Sequence, residues 1–140
     1  QEDLEQIMHD MLVWIAHHSG YAVTFELPSI EFVSPETLAE GGDYGGPVAF
    51  FAWDQGRLQI SEHLDVFQSP LDQAFLLHEL VHYYQWLAGK SFKDNAWECQ
   101  EDLALEVEAY VLQRQYYFTH GGAVYASHDT GLILRWRWPA

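Results

Sequence analysis

The stretch that decides the fold of this chain is LLHELVHYYQ, residues 76–85. It lies in a predicted long helix that Ser69 caps, with Pro70 at the first helical position. The helix is expected to run to Ala88 and to end at Gly89. A capping serine, a proline in the first turn and a glycine after the last turn are typical helix start and stop signals. The pattern therefore predicts one helix around the two histidines of this stretch.

His78 and His82 stand four positions apart, so their side chains meet on one face of that helix. Two imidazoles at this spacing supply two of the nitrogen ligands of a tetrahedral Zn²⁺ ion. Glu79 lies at the edge of the same face, where a carboxylate that is not a ligand holds a water molecule and takes its proton. The motif predicts a zinc cofactor, with Glu79 as the catalytic base.

The two sides of the helix predict different surroundings. One side is expected to pack into the core through its apolar and aromatic residues, which are Leu76, Leu80, Tyr83 and Leu87. The remaining face carries His78, His82, Gln85 and Trp86. We therefore expect the histidine pair to face a cleft or another helix rather than the main core.

A second long helix is predicted over residues 96–118, before Gly121 and Gly122. A third protein ligand is required if the fourth coordination position is to stay open for water. The acidic candidates on this helix are Glu98, Glu101, Asp102, Glu106 and Glu108. Glu106 and Glu108 flank opposite edges of the apolar stripe, so periodicity alone leaves both of them open.

The motif HELVH at 78–82, followed on the next helix by Glu106 and Ala109, resembles the gluzincin clan of zinc metallopeptidases. Several families of that clan carry H-E-x-x-H and then E-x-x-A-D, and the first Glu of the second motif binds the metal. The chain's size is similar to that of the minimal members, the minigluzincins. The resemblance implies a zincin-like fold and a peptide or protein substrate, and it implies a zinc site formed by His78, His82 and Glu106, with Glu79 as general base.

The chain departs from the clan pattern at Tyr110, where many members have an Asp that orients a zinc-bound histidine. Asp102 or a backbone carbonyl is expected to take that role. The resemblance also implies that the strand Arg57–Ser61 is a sheet edge with which extended substrates pair. The sequence leaves the donor to the oxyanion open among Tyr110, Tyr116, Tyr117, His120 and His128.

The whole pattern predicts an α+β fold in one domain, residues 1–140. We expect a small, mostly antiparallel sheet of three or four strands packed on the H-E-x-x-H helix, with the 96–118 helix and a first helix behind it. That first helix is predicted over residues 2–18. The predicted strands are Tyr21–Leu27, Ile30–Val33, Val48–Trp53 and Arg57–Ser61, with a hairpin loop at residues 54–56 that places Gly56 at positive φ. The alternating tail Leu132–Trp138 is expected to form either a last strand or a segment that lies across the surface.

The composition limits the classes of partner. The chain has 140 residues and a net charge of −15, so we expect no nucleic-acid partner, because nucleic-acid binders carry a basic surface. The apolar stretches are too short to predict a membrane span. Gln1 as the first residue agrees with a secreted or periplasmic protein after signal-peptide removal, and the one cysteine, Cys99, fits the cytoplasm equally.

Three functions compete at this stage. The first is a zinc-dependent peptidase. The second is a non-catalytic or autoinhibited zinc-binding domain with a peptide-recognition or regulatory role, in which a fourth protein ligand such as Asp102, His120 or a group from the C-terminal tail closes the site. The third is an acidic interaction domain that binds no metal.

Overall fold

The structure is a computed structural model, and it describes residues 3–40, 49–91 and 100–121. Its elements in chain order are α1 (Leu4–His17), β1 (Ile30–Val33), α2 (Pro35–Glu40), β2 (Ala49–Ala52), β3 (Arg57–Ser61), α3 (Pro70–Leu87) and α4 (Gln100–Thr119). The predicted α+β class is confirmed. The predicted tail strand at 132–138 and the predicted helical residues 96–99 lie outside the described residues. Among the described helices, none is both long enough and apolar enough to cross a membrane.

The first helix forms as its apolar periodicity predicts. Asp3 caps α1, and its carboxylate accepts a hydrogen bond of 2.9 Å from the backbone N–H of Gln6. The residues at three- and four-position spacing are buried against the rest of the protein: Ile7, Met8, Met11, Leu12 and Ile15. This buried stripe fixes which face of α1 meets the core.

The long helix α3 has both predicted ends. The Ser69 hydroxyl accepts from the backbone N–H of Asp72 at 3.2 Å, and Pro70 occupies the first turn, where its missing N–H costs nothing. At the other end Gly89 has φ +85°, and the N–H of Lys90 donates to the carbonyl of Gln85 at 3.0 Å. These bonds satisfy the last carbonyls of the helix and fix its length.

The predicted strand Tyr21–Leu27 is wrong, because this segment is extended chain without strand pairing. Its backbone groups bond to tyrosine hydroxyls of α3 instead of to a neighbouring strand. The Tyr83 hydroxyl donates to the carbonyl of Glu26 at 2.8 Å, and the Tyr84 hydroxyl accepts from the N–H of Thr24 at 3.2 Å. Phe25, in the middle of this segment, is 70% exposed.

Within the described residues, the sheet has three strands in the order β1-β3-β2. β2 pairs antiparallel with β3, but β1 pairs parallel with β3, so the sheet is mixed and the expectation of a mostly antiparallel sheet needs correction. The same order makes β3 (Arg57–Ser61) the central strand, so the predicted edge strand is wrong. A hairpin offers two edges to a third strand, and the alternation of side chains does not encode which edge is taken.

The loop of the hairpin between β2 and β3 is one residue longer than expected. Ala52 pairs with Arg57, so the loop has four residues, Trp53–Gly56, rather than the expected three. The N–H groups of Gln55 and Gly56 both donate to the carbonyl of Ala52. Gly56 has φ +66°, as predicted, and it lies directly against the indole of Trp86 on α3. The loop therefore fixes the sheet against this helix.

Helix α3 lies in the middle of the molecule, with α4, α1 and the sheet packed around it. Every side chain from Ala74 to Gln85 is buried, including the polar ones. Two details differ from the expected faces: Leu87, expected in the core, is 43% exposed, and Trp86 packs under Gly56 rather than beside the histidines. The helix is thus enclosed on both sides, and its histidine face meets α4.

Alanine substitutions at Gly20, Gly56 and Gly89 distinguish the strain of a positive φ from the strain of a contact with Trp86. At Gly56 an added Cβ would lie 2.5 Å from the Trp86 ring at positive φ, whereas at Gly89 the φ is positive but the space is open. Gly20→Ala meets neither problem and is the matched control. We expect Gly89→Ala to lower the free energy of unfolding by about 1–2 kcal/mol, and Gly56→Ala by roughly 1–3 kcal/mol more. Urea unfolding measures this, and equal losses at Gly56 and Gly89 would contradict the contact with Trp86.

Candidate metal centre

Helices α3 and α4 bring His78, His82 and Glu106 together in the protein interior. One potential ligand atom from each residue lies within 4.8 Å of the others. A single oxygen of Glu106, Oε1, lies 3.0 Å from Nε2 of His78 and 2.7 Å from Nε2 of His82. The three residues are 1–3% exposed. They form a group that can bind a metal ion.

The structure separates the two glutamates between which periodicity did not choose. Glu106 points at the histidine pair, while Glu108, two positions further, accepts hydrogen bonds from Tyr21 and Gln85. Ala109 is fully buried between the helices, which agrees with the close approach expected of a small residue there. Helix α4 therefore contacts α3 through both glutamates, through Glu106 at the two histidines and through Glu108 at Gln85.

Gln85 determines that Nδ1 of the His82 ring carries a proton. Its side-chain NH₂ group donates to the carbonyl of Leu105 at 2.9 Å and to Glu108 at 2.8 Å, so both amide protons have acceptors. The amide oxygen must then be the atom 2.8 Å from Nδ1 of His82. Because an amide oxygen only accepts, Nδ1 carries the proton. A neutral His82 therefore presents an unprotonated Nε2 to the centre of the group.

The same arrangement recurs at His78, whose Nδ1 lies 2.8 Å from Oε1 of Gln113. Sequence reasoning missed both glutamines and expected Asp102 or a backbone carbonyl to orient a histidine. The signal was present: Gln85 follows His82 by three positions, and Gln113 follows Glu106 by two helical turns. Both glutamines are fully buried, which is uncommon for this residue type unless it is hydrogen-bonded.

The donor set fits a cation at its centre. With Nδ1 of His82 protonated, the lone pair of its Nε2 faces Oε1 of Glu106 at 2.7 Å, and Nε2 of His78 lies 3.0 Å from the same oxygen. Acceptors this close repel one another unless protons or a metal ion lie between them. A tetrahedral zinc ion with bonds of about 2.0–2.1 Å would hold its ligand atoms roughly 3.3 Å apart, so a small outward shift accommodates the ion.

Electrostatics within the group agree with this description. Burial alone would lower the pKa of His82, but the charge and the hydrogen bond of Glu106, with a smaller contribution from Glu79, raise it above the ordinary value. Burial opposes ionisation of Glu106 too, yet the charges of His78 and His82 and their hydrogen bonds hold its pKa well below the usual range. Without a metal, protons take the place of the cation.

Glu79, the predicted base, lies on α3 next to His78 and is 1% exposed. Its charge contributes to the raised pKa of His82, so it is electrostatically part of the same centre. The two residues considered as a fourth ligand do not join the group within the described part of the chain. Asp102 is buried on α4, and His120 stacks on Tyr116 at 3.8 Å between ring centroids.

Aromatic rings line the centre. The His78 ring packs against Tyr110 at 4.6 Å, and the His82 ring lies 5.2 Å from Trp53 at the end of β2. Tyr110, one of the residues considered as a donor to the oxyanion, therefore contacts a candidate metal ligand, His78. Of the other candidates, Tyr116 and His120 pack toward Trp14 of α1, Tyr117 is buried on α4, and His128 lies outside the described residues.

A scan against family models, together with searches of curated proteins and of solved structures, finds no match to this chain. The geometry of the residues therefore carries the functional conclusion by itself.

The stability of the protein should respond oppositely to pH with and without metal. The raised pKa of His82 means that its contribution to metal-free stability is present below about pH 6.5 and is lost as pH rises through the raised value. The depressed pKa of Glu106 means that its contribution is present above about pH 4.3 and is lost as pH falls through the depressed value. In chelator, the melting temperature should therefore decline from pH 6.5 upward.

With excess zinc, the melting temperature should instead rise over the same interval, because protons stop competing for Nε2 of His82. At 100 times the dissociation constant, zinc should add about 2.7 kcal/mol, or roughly 5–10 °C in Tm. Thermal unfolding followed by circular dichroism measures both profiles. Parallel profiles in chelator and in zinc would contradict the cation requirement, and Glu106→Gln should abolish the difference.

Proposed function

We propose that this protein is a zinc-dependent peptidase whose metal is held by His78, His82 and Glu106. The observation that carries the proposal is the convergence of Nε2 of His78, Nε2 of His82 and a carboxylate oxygen of Glu106 in the protein interior. Three protein ligands leave a fourth zinc position for water, as in catalytic zinc sites. A His₂Glu set is one of the ligand sets of catalytic zinc sites, whereas calcium and magnesium prefer oxygen-only surroundings.

A zinc ion bound here would polarise the scissile carbonyl and lower the pKa of the attacking water. Glu79 has the complementary task of accepting the proton of that water and delivering it to the leaving amine. Its position supports this role, because it lies beside the ligand His78 while remaining outside the three-residue group.

The sheet supports a place for an extended substrate. β2 is an edge of the described sheet, and it leads directly into Trp53, whose ring lies 5.2 Å from that of His82. A peptide that adds to an edge strand gains main-chain hydrogen bonds independent of its side chains. We therefore transfer the substrate-pairing role expected of Arg57–Ser61 to Ala49–Ala52. An edge strand that leads to the group of His78, His82 and Glu106 supports the resemblance to the gluzincin clan.

A second function is favoured by one specific observation, the burial of the centre. His78, Glu79, His82 and Glu106 are each 1–3% exposed, so a substrate reaches them only if part of the chain moves. A non-catalytic or autoinhibited zinc domain would show the same enclosure. The two functions share the metal and differ in whether Glu79 does any chemistry.

Metal content is the first test of the shared part. The purified protein should contain about one zinc per chain by elemental analysis, and His82→Ala and Glu106→Gln should each remove it, because two remaining ligands bind zinc weakly. Glu101→Gln, an exposed acidic position on α4, is the matched control and should retain the metal. Circular dichroism verifies that each variant is folded. An absence of zinc in the parent, even after addition, would overturn the proposal in favour of an acidic interaction domain.

Glu79→Gln separates a peptidase from a non-catalytic domain. The substitution preserves shape and leaves the three ligands in place, so zinc content should stay at one per chain. Cleavage of a peptide library by the parent should fall by about 10²–10⁴-fold in the variant, because the proton acceptor is gone. If the variant cleaves as fast as the parent, Glu79 is not the base. If the zinc-loaded parent cleaves nothing, the non-catalytic function replaces the peptidase.

A further inference from the structure

A continuous chain of hydrogen bonds runs from the surface of the protein to Nδ1 of His82. It starts at Lys90, whose ammonium group donates to the hydroxyl oxygen of Tyr21 at 3.1 Å. The Tyr21 hydroxyl donates to Oε1 of Glu108 at 2.6 Å, and the same oxygen accepts from Gln85 at 2.8 Å. Gln85 in turn accepts from Nδ1 of His82 at 2.8 Å. We call these four residues outside the metal group, Lys90, Tyr21, Glu108 and Gln85, the His82 tether.

The direction of every bond in the tether is determined. A lysine ammonium group can only donate, and a glutamate carboxylate only accepts. Tyr21 remains a neutral phenol because burial and the neighbouring Glu108 raise its pKa far above the ordinary value. The Gln85 amide cannot rotate to exchange its oxygen and nitrogen, because its two protons already meet Leu105 and Glu108. The amide oxygen is therefore held against His82.

The two histidines differ in how firmly their orienting amides are held. Gln85 makes three hydrogen bonds, to Nδ1 of His82, to Leu105 and to Glu108. At Gln113 the oxygen contacts Nδ1 of His78, while the side-chain nitrogen is buried without a hydrogen-bond partner among the described residues. The tether thus fixes one ligand of the pair much more firmly than the other.

We propose that Gln85 and Glu108 are positioning residues that hold His82 in its metal-binding orientation, with Tyr21 and Lys90 anchoring Glu108 at the surface. This rests on the proposed metal site and adds to it a dependence on residues that touch no metal. Partners that orient a ligating histidine raise its basicity and fix its ring, and their loss commonly weakens metal binding by about 10–100-fold. Glu108, left over when Glu106 was assigned to the metal, acquires a role through this tether.

The test compares zinc affinity in Gln85→Met, Glu108→Leu and Glu108→Gln, measured by competition with a chelator. Gln85→Met keeps the length of the side chain but removes its amide, so affinity should fall by about 10–100-fold. Glu108→Leu should weaken binding in the same direction by a smaller factor. Glu108→Gln retains an oxygen that accepts from Gln85 and should restore the parent affinity to within about threefold. Gln115→Met, at an exposed position of α4, is the matched control.

A spectroscopic readout distinguishes orientation of the ligand from general loss of stability. Zinc-loaded protein labelled with ¹⁵N-histidine should show two slowly exchanging imidazole Nδ1–H resonances, one for His78 and one for His82. Glu108→Leu and Gln85→Met should broaden or remove the His82 resonance and leave that of His78. A merely structural role would alter neither resonance selectively.

These measurements distinguish a failure of the metal site from a failure of the tether. If the parent binds no zinc, the metal site and the tether are both overturned. If the parent binds zinc but Gln85→Met binds it equally tightly, or Glu108→Gln behaves as Glu108→Leu does, the tether is overturned and the metal site stands.

Discussion

The constraint on which the rest of the structure depends is the close approach of hydrogen-bonding atoms that are buried between helices α3 and α4. These atoms repel one another unless a positive charge lies between them. Nε2 of His78 and Nε2 of His82 each lie within hydrogen-bond distance of Oε1 of Glu106, and all three side chains are buried. Such an arrangement is stable only with positive charge between the atoms, whether protons or a metal ion. The raised pKa of His82 and the lowered pKa of Glu106 follow from this close approach.

The surrounding fold positions the group without contributing ligands to it. The hairpin fixes the sheet against α3 through Gly56 and Trp86, and the tyrosines of α3 hold the extended segment that follows α1. That segment begins with Tyr21, which reaches across to Glu108 on α4. The part of the chain that looked like a strand therefore bonds to α4, the helix that carries Glu106.

Much of the candidate centre could be predicted from sequence because its spacing is local. His78 and His82 share a face by helical geometry, and the capping residues of α3 fixed the limits of that helix. The choice between Glu106 and Glu108 was different, since both flank the apolar stripe of α4 and only the rotation of α4 against α3 decides which one meets the histidines. The orienting glutamines were missed for a related reason: an amide gives no compositional signal of what it will touch.

The sequence by itself determined the α+β class, the ends of α1 and α3, the hairpin with Gly56 at positive φ and the side chains that can hold a metal. All of these depend on contacts within a few residues or one helical turn. Only the tertiary structure decided that β3 is central, that β1 runs parallel to it, that residues in the 21–27 segment bond to tyrosine hydroxyls rather than to a strand, and that Glu108 accepts from the glutamine that contacts His82. Each of these is a choice among partners distant in the chain, which local preferences leave nearly equal in free energy and which the packing of the whole molecule resolves.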